Sequence, residues 1–493
     1  MQSETGGTGS PTPAVPGARP AAEGAEGPWS AGSPGSPGDA GGNTAVGGAP
    51  ARRLVAGADR AVVTAIVRVT DRALGPYQTA VVRIGFSFTW LVFLLFEWPN
   101  RRELYGPDGP WSWELADRLV EGNHAFTVLL WSDSTVWFEI VYAVALLSSA
   151  ALLVGWRTRT MSVLFMIGVL SLQNRSVFMG DGGDNVIHLM AMYLVLTRCG
   201  RVWSLDARRR ARRRADGADT DPVGVVLWTV LGAVLLVITV RGEIGWFGDD
   251  GPVTFVGWAT VLWGLWLAHG LWWCVRPVRP AGAEPEAGAE PDADPDAAAG
   301  AGADARTETG RRADARRLLD VLGNIVHNAA LLVIMAEVCL IYATAGWYKI
   351  QGSRWQDGTA VYYPLHLDYF APWPALSEVL GGSGLMVMVL SYGTVIVQVA
   401  FPFTLFNRRV KNVLLALMML EHASIAVVLG LPFFSLAMIA ADAVFLPTVF
   451  LVWLGARASL LGRRLRPRAL RTAGREKREE PDGASAPART LVG

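Results

Sequence analysis

Ten apolar runs separated by more polar stretches constrain this chain more than any other feature. They cover approximately residues 80–97, 135–155, 159–174, 186–199, 223–241, 254–275, 323–346, 384–406, 411–430 and 432–455. A helix needs roughly 20 apolar residues to cross a bilayer, where every backbone polar group must be satisfied within the segment. The pattern predicts an all-α integral membrane protein, a polytopic bundle of about ten transmembrane helices. The third and fourth runs are the shortest. Charged residues make up 18% of the chain. A soluble protein carries about 25%, so a water-soluble multidomain enzyme is excluded.

Orientation follows from the arginines, which favour the cytoplasmic side. Arg52, Arg53 and Arg60 precede the first run, and Arg157 and Arg159 follow the second. Arg208–Arg214 separate the fourth and fifth, and Arg311, Arg312, Arg316 and Arg317 precede the seventh. Arg408, Arg409 and Lys411 lie between the eighth and ninth, and an Arg-rich tail follows the tenth. Alternate loops thus collect the positive charge, which predicts both termini inside and a multi-pass protein of the cell membrane.

Residues 1–50 are Gly, Pro, Ala and Ser with few large apolar side chains, and read as a disordered tail without a cleaved signal peptide. Residues 456–493 read as a disordered, Arg-rich cytoplasmic tail. Between them, 75–455 form the membrane domain, into which a hairpin at 223–275 and an unstructured Ala/Pro/acidic linker at 278–315 are inserted. No internal repeat supports an inverted-repeat transporter. Cys199, Cys274 and Cys339 have no pair-like spacing, so neither a disulfide scaffold nor a metal site is expected.

Ionisable residues inside membrane runs are costly and mark functional candidates. Here they are Glu139, His188, His269, His327, Glu337, Glu421, His422 and Asp442. Each has an alternative role as a polar group satisfied between helices. Lys349 stands apart. The chain has 41 arginines and three lysines, and Lys349 ends the seventh run within Ala345-Gly346-Trp347-Tyr348-Lys349-Ile350, followed by Trp355, Asp357 and Gly358. Lysine can lose its proton when desolvated and arginine cannot, so the position suits a base. A lysine at a helix end also snorkels to the interface without chemistry.

Three stretches carry a resemblance. The Ala345–Gly358 segment is similar to the one that holds the catalytic lysine of vitamin K-dependent gamma-carboxylases. Glu421-His422-Ala423 through Phe434-Ser435-Leu436-Ala437-Met438-Ile439-Ala440 resembles that family's His-containing helix and the segment after it. Asn174-Arg175, Gly180-Asp181, Asp184-Asn185, Tyr193-Leu194 and Trp203-Ser204-Leu205-Asp206 look like the bacterial horizontally transferred transmembrane (HTTM) pattern. The Arg-for-Lys, Ala/Gly-rich composition looks like that of a GC-rich, actinobacterial-type genome.

The resemblance implies a carboxylase-like mechanism. A base deprotonates reduced vitamin K, oxygen adds, and a strongly basic alkoxide takes a proton from a glutamate side chain, whose carbanion accepts carbon dioxide. Carried over, Lys349 matches the base and His422 a histidine near the quinone. The family's Asn-His pair falls near Asp184 and Asn185, with its histidine replaced and His188 one turn away. Trp347, Tyr348, Trp355 and His188 would flank a flat cofactor such as vitamin K or menaquinol. A secreted peptide would be the substrate, and no nucleic acid is implied. The Arg-rich stretch after the tenth run does not read as the large extracytoplasmic domain of the animal enzymes, so that domain is not expected. The second expectation is therefore a non-enzymatic membrane partner in secreted-peptide maturation or membrane assembly. Lys349, His422 and the Asp184/Asn185 loop are expected to share one pocket near the outer leaflet.

Overall fold

The apolar runs become helices because only a helix closes its own backbone hydrogen bonds in lipid. The computed structural model describes residues 49–216, 221–247, 256–275 and 295–464, with side chains described for 60–213, 221–247, 256–275 and 310–461. Residues 62–493 make up one unit, which holds the helices of the membrane domain. The principal helices are α1 (Ala49–Asp71), α2 (Pro76–Glu97), α3 (Thr135–Val154), α4 (Thr158–Arg175), α5 (Gly182–Leu196), α6 (Pro222–Val240), α7 (Trp258–Cys274), α8 (Pro295–Gln351), α9 (Gly384–Ala400), α10 (Arg408–Val428), α11 (Pro432–Asp442) and α12 (Thr448–Arg464). No strand occurs among the described residues, only an isolated bridge between Phe247 and Val256.

Six helical segments are long and apolar enough to cross a membrane, and a seventh counts if one bent pair is taken as a single span. The six contain α2, α3, α6, α8, α9 and α10. The remaining runs form shorter or more polar helices. α5 has 15 residues, or about 22 Å at 1.5 Å per residue. α7 has 17 residues, and α4 carries Arg159, Gln173, Asn174 and Arg175.

Three expectations need correcting. The run 432–455 is not a straight helix. α11, with its short continuation to Phe445, and α12 meet at 117°. Leu446 is extended at φ −62°, ψ 138° because Pro447 follows it, and a residue before proline is pushed out of the α region. The linker also ends earlier than expected, since helix α8 already begins at Pro295. Residues 297–305 are mostly alanine, the strongest helix former. Of the tails expected to be disordered, 49–50 and 456–464 are helical, in α1 and α12, while 1–48, 465–493 and the 278–294 part of the linker lie outside the described residues.

α2, α3, α4, α5 and α11 surround a core centred on Phe86, Trp90, Tyr142, Phe165, Leu172, Met190 and Ala437. Two arginines are buried within it. Arg83 donates to the carbonyls of Leu152, Leu153 and Trp203. Its charge thus meets the open C-terminal carbonyls of α3. Arg175 donates to Gly106 and Trp111 carbonyls at 2.7 and 3.0 Å.

The Trp203–Asp206 motif organises one end of this core. Asp206 accepts from the Arg157 and Thr158 amides at 3.0 and 2.7 Å and from the Thr158 hydroxyl at 2.9 Å, capping α4 from 48 residues away. Ser204 packs beneath Gly155, where α3 ends in the left-handed region at φ +72°. A Cβ on Gly155 would lie 2.3 Å from the Ser204 Cβ and 2.7 Å from its Cα. Gly155→Ala therefore combines a disfavoured φ with an overlap against backbone. It should lower stability by about 2–4 kcal/mol, read by denaturation in detergent. A change under about 0.5 kcal/mol would mean that the Ser204 turn moves freely.

On the next loop, Asp221 caps α6 through the Gly224 amide and pairs with Arg157 and Arg213. Burial raises its carboxyl pKa, but the Arg157 hydrogen bonds, the Gly224 amide and Arg213 outweigh burial and hold it well below the usual carboxylate range. Its stabilisation is then fully present above about pH 4, the unfolded value, and is lost as pH falls towards the depressed folded value. Asp221→Asn should cost about 1–3 kcal/mol at pH 7, with the difference from the parent narrowing under acid. A gap that stays constant down to pH 2 would refute this pairing.

Candidate functional site

Lys349 sits in the last turn of α8, where Gly346 lets α9 come close. A Cβ on Gly346 would lie 2.5 Å from Val399 Cγ2. That approach places Gln398 beside the lysine. Lys349 Nζ donates to Gln398 Oε1 at 2.6 Å, and Gln398 Nε2 donates to Glu421 Oε1 at 2.6 Å. The Trp355 ring lies 5.3 Å from Nζ, within cation–π range. Gln398 is buried. Three helices therefore supply a lysine, an amide and a carboxylate in series.

The next residue on α10, His422, enters a second chain. Tyr342 lies two turns before Lys349 on α8. Its hydroxyl is 3.0 Å from His422 Nε2 and donates to Asp442 Oδ1 at 2.9 Å. All three side chains are almost completely buried. Because the single tyrosine proton goes to the carboxylate, His422 must donate from Nε2. His422 Nδ1, Asp442 Oδ2 and Ser435 Oγ have no partner among the described residues.

The Asp184/Asn185 loop approaches from the other side. Gly183 lies against the Phe434 backbone, and the Phe434 ring centroid is 5.5 Å from that of His422. Asp184 is buried, but its carboxylate accepts from the Asp181 amide at 3.0 Å. Asp181 in turn accepts from the Gly183 and Asp184 amides, completing a capping box at the start of α5. Asn185 is exposed. No hydrogen bond joins Asp184 or Asn185 to Lys349 or His422 among the described residues. Phe434 lies between the loop and His422.

His188 contacts Gln173 Oε1 through Nδ1 at 2.9 Å, while Gln173 Nε2 donates to the Asp184 carbonyl at 2.8 Å. It thus helps to fix the loop. Trp347 and Tyr348 are 60% and 74% exposed. Of the aromatic candidates, Trp355 alone contacts Lys349.

The other ionisable residues have separate partners. Glu139 pairs with Arg101 and Arg102 at 3.0 and 2.5 Å. His327 Nδ1 accepts from the Arg198 amide and its Nε2 meets the Leu74 carbonyl, both at 2.8 Å. His269 lies against Trp273, with ring centroids 4.8 Å apart. Glu337 meets the Tyr193 hydroxyl at 3.5 Å.

Tyr342 and Gln398 are the members that sequence reasoning missed. Neither is charged, so neither stands out in a hydropathy profile. The available signal was the concentration of Lys349, Glu421, His422 and Asp442 within the last four runs. Compared with known proteins, the chain matches no family model, no curated protein and no solved structure.

Proposed function

We propose that this chain is a polytopic cell-membrane protein of the HTTM and vitamin K-dependent carboxylase-like class, acting on a reduced quinone with Lys349 as its base. The observation carrying this reading is the Lys349–Gln398–Glu421 series. Gln398 receives the ammonium and passes a hydrogen bond to a carboxylate, so the cation is oriented without a direct ion pair. As the neutral amine Lys349 can accept a proton, and Glu421 supplies the charge that balances the ammonium so formed. Replacing Lys349 with Arg would remove that option.

The residues present fit such a cofactor in their donor set. His422 Nδ1, Ser435 Oγ and Asp442 Oδ2 are buried without partners, and Ser435 and Asp442 lie two turns apart on one face of α11. They would hold the ring oxygens, with Phe434 beside the ring. The reduced quinone would supply, on reaction with oxygen, the strong base that a glutamate proton requires. On this reading all ten runs cross the bilayer with both termini inside. The site then opens outward to a secreted peptide.

One observation favours the second reading, a non-enzymatic membrane partner in peptide maturation or membrane assembly. One cavity beside Gly75 and Lys411 and another among the arginines of α4 and α8 are lined by neither Lys349 nor His422. Extraction of the purified protein followed by mass spectrometry separates the two. The enzyme reading expects near-stoichiometric menaquinone that falls several-fold in His422→Ala. Quinone at the level of the surrounding lipid, unchanged by that substitution, would leave the partner role.

A further inference from the structure

At the arginine-rich end of the bundle, a cavity of about 550 Å³ opens between α4, the segment after α5, α6, α7 and α8. Its volume falls in the range of small-molecule sites. Eight arginines line it, against three aspartates. The aspartates are already engaged. Asp221 holds Arg157 and Arg213, and Asp320 holds Arg198 and Arg316. Asp206 is 3.5 Å from Arg209, but both its oxygens cap α4. Arg159 and Arg201 have no carboxylate within ion-pair distance among the described residues.

One indole gathers the charge further. Arg159 and Arg316 both stack on Trp272, with guanidinium carbons 4.3 and 3.8 Å from the ring centroid. Arg316 also donates to the Trp272 carbonyl at 3.1 Å. The two like charges repel, and Asp320 pairs with Arg316 but not with Arg159. The cavity lies where α7 ends and α4 and α6 begin, at the level where helix ends meet headgroups. Trp272 and Trp273 belong there as interfacial residues.

We propose that this cavity is a binding site for a phosphoryl anion, gripped by Arg159 and Arg201 and flanked by the Asp-paired arginines. Guanidinium forks match phosphate oxygens in pairs, and basic pockets between membrane helices suit acidic headgroups. The same chemistry is offered by a phospholipid headgroup and by a soluble phosphate, and this inference is independent of the quinone reading.

The test uses the full chain in two arms. In the first, the protein is placed in nanodiscs of phosphatidylcholine with or without cardiolipin, and retained lipid is measured by native mass spectrometry. In the second, inorganic pyrophosphate is titrated against detergent-solubilised protein, with thermal stability as the readout. Saturable binding in the first arm alone identifies a lipid headgroup, and binding in the second a soluble phosphate. Either should weaken about tenfold or more in Arg159→Gln/Arg201→Gln, since bonds to charged groups are the strong ones. Arg208→Gln, outside the cavity, should change nothing. Because neither Arg159 nor Arg201 makes an ion pair among the described residues, the double variant should fold, and its melting profile without ligand checks this. Absence of binding in both arms, or equal binding by the double variant, overturns the site. So does binding that appears only after Glu284, Glu286, Glu290, Asp292 and Asp294 are neutralised, which would make that acidic segment the occupant.

Discussion

Tyr342→Phe should destabilise the protein by about 2–4 kcal/mol, although it removes one oxygen atom. Tyr342 is 1% exposed, and its hydroxyl serves two groups that have no substitute partner, His422 Nε2 and Asp442 Oδ1. Leaving a buried polar group unpaired costs about 1–3 kcal/mol, more for a charged one, and this substitution leaves two. Unfolding in sodium dodecyl sulfate, followed by tryptophan fluorescence, measures the difference. The partner substitution gives the stronger check. In the Tyr342→Phe background, Asp442→Leu removes the orphaned carboxylate and should restore part of the loss, because matched apolar replacement is often near neutral. The double-mutant cycle should therefore show coupling above about 1 kcal/mol. Additive effects would mean that water reaches Asp442 and that the Tyr342 chain is not closed.

This network explains why the sequence revealed some of the site and hid the rest. Lys349 was visible because a lysine among 41 arginines is a chemical choice. Gly346 was visible because a close helix approach needs a missing Cβ, and Val399 fills that space. Gln398 and Tyr342 were not visible. They lie 49 and 80 residues from the partners they serve, Lys349 and His422. An uncharged residue in an apolar run gives no sign of which helix it will face. The Asp184 loop has a structural role that the sequence did not reveal, for a related reason. Its acidic residues read as chemistry, yet Asp181 and Asp184 spend their hydrogen bonds on the start of α5.

The fold was legible to the extent that hydropathy dictates it. α2, α3, α6, α8, α9 and α10 correspond to long runs because lipid leaves a continuous apolar segment little choice. The turn at Leu446-Pro447 was written in the sequence, since a proline restricts its predecessor, but apolar residues on both sides made one run of two helices. Arg83 had no warning, and Arg175 stood only as part of the Asn174-Arg175 pattern, with no sign that it is buried. Arginine abounds in this chain, and only packing distinguishes the two that satisfy helix-end and loop carbonyls inside the core. The arginine cavity was hidden in the same way, read as loop charge until α4, α6, α7 and α8 converged on it.

The largest functional effect is expected at Lys349. If the proposed chemistry is correct, Lys349→Ala should lower oxygen-dependent conversion of added menaquinol to its epoxide by about 10²–10⁴-fold, the usual worth of a positioned base. Mass spectrometry of the extracted quinones gives the rate. Lys349→Arg should fail comparably. Guanidinium could still donate to Gln398 and stack on Trp355, but it keeps its proton. That pair of results separates a base from an electrostatic anchor, which arginine would replace. Gln398→Leu removes the bridge without touching the amine. It should reduce the rate by less than Lys349→Ala, because Trp355 still faces Nζ at 5.3 Å. Unchanged melting temperature and quinone content in the Lys349 variants would assign the loss to proton transfer rather than to folding or binding. An active Lys349→Arg variant would instead leave Lys349 as a cation that fixes α8 against α9, and the site would belong to a membrane partner rather than an enzyme.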